Sequence, residues 1–187
     1  MNRLEILDNR KYLSGLRAGF QSKVLRKPKP HPDAYLIKRM RMKRQVYNDI
    51  KTSIGSMPAE SGGVLLGNSN SLVIECFVFD LMAATNQTVY QPNTKFLNSV
   101  LKGRENQFLG IAHSHSKGGR TLSQQDRNAA WSNMTSPGNP HLHAYMMPLI
   151  QTTPDTKRFE IIPYIVICHP DGHGRVIVNH VDLEIID

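Results

Sequence analysis

The chain has 187 residues, 40% of them hydrophobic and 20% charged, with a formal net charge of +8, which is one domain's length with enough apolar material for one core. No apolar run approaches the roughly 20 residues of a membrane helix, and the first 20 positions lack a secretory apolar region with its cleavage site. Two cysteines, Cys76 and Cys168, are too few for a disulfide framework or a cysteine zinc ribbon, so a reducing cytoplasm is the expected location.

The charge is uneven. Residues 1–55 hold 14 of the 23 Lys+Arg and 4 of the 15 Asp+Glu, or +10, and the remainder sums to −2. Such a basic third suits an acidic partner, a membrane surface, nucleic acid or only a solvated face. Aromatic residues do not interleave with the basic ones as a single-strand stacking platform needs, which weighs against nucleic acid. Within it Leu13, Leu16, Phe20 and Val24 recur at helical spacing among basic residues, a pattern weakened by Gly15 and Gly19. Pro28, Pro30 and Pro32 favour extended geometry, so Lys27–Pro32 reads as a linker. The chain thus divides into a basic extension, 1–32, and a domain, 33–187.

Leu36, Lys38, Met40 and Met42 share one side of an expected strand, and Val46, Ile50 and Ile54 then step as a helix. Pro58 and Gly62-Gly63 close that helix. Val64–Leu66 and Leu72–Leu81, joined by a turn over Gly67–Ser71, read as a hairpin. A short helix is expected within Pro92–Leu101, a buried strand over Phe108–His115 and a helix over Ser123–Met134. Further strands are expected over 141–150, 159–169 and 173–185, which makes the class α+β, with no repeat of fixed period.

The chemistry concentrates in His113-Ser-His115-Ser-Lys-Gly-Gly-Arg-Thr-Leu-Ser123-Gln-Gln-Asp126, where an apolar strand enters a polar loop and then a helix. Residues two apart on a strand face the same way, so His113 and His115 can both reach one ion. Residues three apart on a helix share a face, so Ser123 and Asp126 point together, with Ser123 suited to the N-cap. Two histidines and a carboxylate leave a fourth tetrahedral position for water, as in catalytic zinc sites.

These spacings resemble the JAMM motif of MPN-domain metalloproteases, in which His-x-His is followed by seven residues and Ser-x-x-Asp, with a glutamate upstream. The upstream segment is also similar: Pro58-Ala-Glu60-Ser-Gly62-Gly63-Val-Leu-Leu66-Gly67 places a glutamate after a helix and before a Gly-containing strand. The resemblance covers about Asp33 to Asp187. It implies an MPN (JAMM) fold, a mixed curved β-sheet flanked by helices, here with the basic N-terminal extension. It also implies that His113, His115 and Asp126 ligate one zinc ion, that Glu60 is the general base on the metal-bound water, and that Ser123 steadies the oxyanion. An acceptor-only carboxylate and a hydroxyl donor suit those two roles. Ser116 departs from the family, which usually has proline after the second histidine; with Gly118 and Gly119 this leaves the 116–122 loop less rigid.

The implied activity is zinc-dependent cleavage, as a peptidase or isopeptidase, after the C-terminal glycine of a ubiquitin-like protein. The chain lacks room for long insertions between Glu60 and Asp126, and so resembles prokaryotic or phage-associated versions, some of them encoded within antiphage conjugation systems. The implied partners are a ubiquitin-like protein or its conjugate and E1/E2-like proteins of the same system, with no membrane. A RadC-like DNA-associated protein is the second reading, although that group has Asn between the histidines where Ser114 stands. A non-catalytic MPN scaffold is the third, against which all five motif positions are intact. A zinc nucleobase deaminase is excluded by the missing Pro-Cys-x-x-Cys.

Other polar residues read more plainly. His141 and His143 form a second His-x-His with no Ser-x-x-Asp behind it. His169, His173 and His180 surround a turn and read as surface or strand residues, Cys76 and Cys168 as small buried hydrophobes, and Trp131 as core.

Overall fold

The computed structural model describes residues 32–57, 60–86, 89–115, 119–153, 158–171 and 175–187. The expected basic helix and most of the Lys27–Pro32 linker lie outside these residues. A 3-10 helix, Pro32–Leu36, leads into β1 (Arg39–Lys43), where Met40 and Met42 are buried. Leu36 does not share that buried side, being 70% exposed, because the chain turns at the 3-10 helix before the strand begins.

α1 (Arg44–Thr52) buries Val46 and Ile50, and Ile54 follows in a separate 3-10 turn, Ile54–Ser56. β2 (Gly62–Asn68) and β3 (Val73–Phe79) form the expected antiparallel hairpin. A two-stranded ribbon of β4 (Ala84–Asn86) and β5 (Val89–Gln91) follows, which the sequence pattern did not announce. α2 (Thr94–Leu101) starts at Asn93, whose side chain accepts the Phe96 N–H at 2.9 Å, and buries Leu97 and Leu101 one turn apart. Burial of each such leucine contributes about 1.5–3 kcal/mol.

β6 (Phe108–Ser114) is buried throughout, and α3 (Gln124–Thr135) follows its loop. The region 141–150 is strand only in β7 (Tyr145–Met146) and β8 (Leu149–Thr153). The segment read as one strand over 159–169 is two, β9 (Arg158–Ile162) and β10 (Tyr164–Cys168). Pro163, which has no N–H for a ladder, separates them, and its carbonyl accepts from Val181 N–H at 3.0 Å. β11 (Val176–His180) and β12 (Asp182–Ile186) likewise divide 173–185, so that β11 pairs with β10 and β12 with β1.

One mixed ten-stranded sheet runs β11-β10-β7-β6-β2-β3-β1-β12, with β8 pairing both β6 and β9. One face packs α2 and α3 on Val64, Leu66, Phe108 and Ile111; the other packs α1 on Leu65, Leu109 and Ala112. The alternation along β6 slips once. Leu65 pairs with Gly110 but Leu66 with Phe108, so Leu109 is an extra residue in a β-bulge. Phe108 and Ile111 therefore share the α3 face, and His113 and His115 continue on it.

Candidate metal centre

The strand brings the two imidazoles together: His113 Nε2 and His115 Nε2 are 3.0 Å apart. The helix supplies the carboxylate. Asp126 Oδ1 lies 3.2 Å from His113 Nε2, and Oδ2 lies 3.3 Å from His115 Nε2. One donor atom from each of the three falls within 4.8 Å of the others. His113 is 3% exposed at the end of β6, while His115 and Asp126 are half-buried.

Asp126 is the third residue of α3 and completes a capping box with Ser123. Its Oδ2 accepts Ser123 N–H and Ser123 Oγ–H, both at 2.7 Å, and its own N–H donates to Ser123 Oγ at 3.2 Å. Helix start and carboxylate orientation are thereby one arrangement. Burial alone would raise the Asp126 pKa, but hydrogen bonds from His113, His115 and Ser123 outweigh it and hold the carboxyl far below the usual carboxylate range. Burial opposes protonation of His115, yet Asp126, Glu60 and the Gly119 carbonyl together raise its pKa.

Gly119 has a double use. Its carbonyl accepts from the His115 ring and from Gln151 Nε2, and a Cβ on Gly119 would lie 3.3 Å from His115 Nδ1. Beside it, Arg120 makes a two-bond ion pair with Glu160 at 2.7 Å each, and its carbonyl accepts from Tyr164 Oη at 2.8 Å. The far end of the loop is thus anchored on β8, β9 and β10. Ser116 and Gly118 lie outside the described residues.

Glu60 precedes β2 and is half-buried, and its charge acts on His115. Its Oε2 accepts Tyr90 N–H at 3.0 Å. Ser61, its neighbour, is tied to Ser114: Ser61 N–H donates to Ser114 Oγ at 3.0 Å, and Ser114 N–H donates to Ser61 O at 2.9 Å. Sequence reasoning missed Ser114, Tyr90, Asp80 and Gly119. The only signal for Ser114 was its place between the two histidines.

The remaining candidates stay apart. His141 Nε2 lies 2.9 Å from the Phe108 carbonyl, and His169 Nδ1 meets Asp171 at 2.9 Å. His180 is exposed beside Tyr164, Trp131 packs partly buried against the core, and of the cysteines Cys168 is buried and Cys76 half-buried. His173 lies outside the described residues.

The donor set fits a divalent metal: two imidazole ε-nitrogens and a carboxylate converge, and Ser123 holds that carboxylate through Oδ2. A mixed curved sheet carrying such a set at the end of a strand and the start of a helix defines a JAB/MPN-type domain. Residues 48–162 match the family of prokaryotic homologs of the JAB domain, and the chain belongs to it. Among solved structures the chain is similar to protein DSY2949 from Desulfitobacterium hafniense, determined in solution, at 15% identity over 78% of this chain and 92% of that one, with a TM-score of 0.46. No curated protein matches the chain. Among the described residues, no helix is long and apolar enough to cross a membrane.

Proposed function

We propose that this protein is a zinc-dependent peptidase or isopeptidase that cuts after the C-terminal glycine of a ubiquitin-like protein or its conjugate. The observation that carries the reading is the convergence of His113, His115 and Asp126 with Glu60 close enough for its charge to act on His115. His113, His115 and Asp126 would hold the zinc, which supplies Lewis acidity and a water of lowered pKa. Glu60 takes the proton of the attacking water and delivers it to the leaving amine. Ser123 supports the developing oxyanion. Its hydroxyl now donates to Asp126, so this role requires the proton to turn toward the substrate carbonyl. The substrate class rests on the family resemblance, and E1/E2-like proteins are the partners it implies.

The test is metal content and turnover on fusions of ubiquitin-like domains ending in Gly-Gly. Glu60→Gln is expected to keep zinc and lose turnover, and His115→Ala to lose both. Normal turnover by Glu60→Gln would overturn the mechanism.

A further inference from the structure

Asp80 is a buried carboxylate, 3% exposed, just beyond β3, and among the described residues no cation pairs with it. A lone carboxylate in that position has to be held by hydrogen-bond donors. Three converge on it: Tyr90 Oη at 3.1 Å and Asn93 N–H at 2.7 Å on Oδ2, and Met82 N–H at 3.3 Å on Oδ1. Asp80 N–H in turn donates to Gly62 O at 2.9 Å, two residues from Glu60. The carboxylate therefore gathers both ends of the segment that carries the β4–β5 ribbon and fixes them to the start of β2.

Tyr90 is the link to the site. Its phenol is held by Asp80, and its ring lies on the β2 backbone so closely that a Cβ on Gly62 would stand 2.6 Å from ring Cε1. Its N–H, placed by those two restraints, donates to Glu60 Oε2 at 3.0 Å. A glutamate side chain left alone samples many rotamers. A fixed N–H aimed at one oxygen selects among them, and a base misplaced by about 1 Å loses on the order of a hundredfold in rate.

We propose that Asp80 is a positioning residue for Glu60, acting through Tyr90, whose backbone N–H sets the orientation of the Glu60 carboxylate. This rests on the peptidase reading above for its consequence in rate, but the coupling itself is independent of turnover. Tyr90→Phe keeps the ring and the backbone and removes only the bond to Asp80. In full-length zinc-loaded protein, assayed on a fluorogenic peptide ending in Gly-Gly-aminocoumarin, it is expected to lower kcat about tenfold with KM within about twofold. The residual turnover of Glu60→Gln, followed at high enzyme concentration, is expected not to fall further with the same change, because the base it positions is gone.

The second readout is hydrogen exchange at the Tyr90 amide. Exchange is expected to accelerate at least about tenfold in Glu60→Ala, which removes the acceptor, and also in Tyr90→Phe and Asp80→Asn. Asn at position 80 must turn its NH2 toward one of three donors. Should Asp80→Asn not fold, Tyr90→Phe alone decides. Unchanged Tyr90 amide exchange in Tyr90→Phe overturns the proposal, as does an equal rate loss with and without Glu60. If the wild-type protein cleaves nothing, the peptidase reading fails, while the exchange measurement still reports whether Asp80 holds Tyr90 on Glu60.

Discussion

Ser114 and Ser61 bind each other through both main chain and side chain. Ser114 N–H donates to Ser61 O at 2.9 Å, and Ser114 Oγ accepts Ser61 N–H at 3.0 Å. The regular β2–β6 ladder ends one pair earlier, at Gly62 opposite His113. A side chain thus extends the pairing by one residue, and the two residues it joins are flanked by Glu60 on one side and by His113 and His115 on the other. The spacing between proposed base and proposed ligands is fixed by this contact.

Ser114→Ala leaves the buried Ser61 N–H without its acceptor. The expected cost is about 1–3 kcal/mol of stability, read by urea denaturation of the metal-free protein. A change within about 0.5 kcal/mol would mean that the N–H finds another partner.

Ser123→Ala removes a helix cap and, with it, the hydroxyl donor to the Asp126 carboxylate. Metal-free protein is expected to lose about 1 kcal/mol through the cap, and zinc affinity to fall about 10–100-fold through the ligand's lost support. Calorimetric titration with zinc separates the two effects. Unaltered affinity would show that the Ser123 N–H alone orients Asp126.

Metal removal tests the donor set directly. At free zinc about 1,000 times its dissociation constant, the holo-protein is expected to exceed the chelator-treated form by about 4 kcal/mol. That increment is expected to vanish in His113→Ala and Asp126→Ala and to persist in Glu60→Gln. A zinc-dependent rise in Tm that survives Asp126→Ala would place the metal elsewhere.

The pH dependence of the metal-free protein follows from the two shifted groups. Asp126 is depressed in the fold, so its contribution is fully present above the unfolded value of about 3.9 and is lost as pH falls through the folded value. His115 is raised, so its contribution is fully present below the unfolded value of about 6.5 and is lost as pH rises through the folded value. Asp126 and His115 accordingly stabilise most between about pH 4 and pH 6.5, and Asp126→Asn is expected to flatten that maximum in denaturation curves taken across the range. Zinc requires neutral His115, so its affinity is expected to rise with pH as the proton's contribution disappears.

Gly110→Ala tests the close approach of β6 and β7. A Cβ there would sit 1.9 Å from Met146 O, so the strands must part. Destabilisation above about 3 kcal/mol is expected in thermal or chemical unfolding, and a smaller value would show that β7 yields easily.

Much of the site was legible in the sequence because its information is local: His113 and His115 two apart on an apolar strand, Ser123 and Asp126 three apart at a helix start. The first helix was legible for the same reason, as Val46 with Ile50 marks a buried face one turn apart. What stayed hidden is non-local. Nothing near Tyr90 in the sequence announces that its N–H reaches Glu60, thirty positions away, or that Asp80 holds its phenol. The short β4–β5 ribbon carries no alternation long enough to read. Pro163 was visible, but the strand partners that make it a boundary between β9 and β10 were not.

The bulge at Leu109 gives the ligand set a dependence on phase as well as on composition. With that residue present, His113 leaves the sheet on the side where α3 begins. Were the ladder to run on from the Phe108–Leu66 pair without the bulge, every later side chain of β6 would turn over, and the imidazoles would be directed at the layer that packs α1. All three donors would still be written in the chain at their proper spacing, and they could not meet. The candidate metal site is thus encoded partly by a bulge several positions upstream that contributes no donor atom.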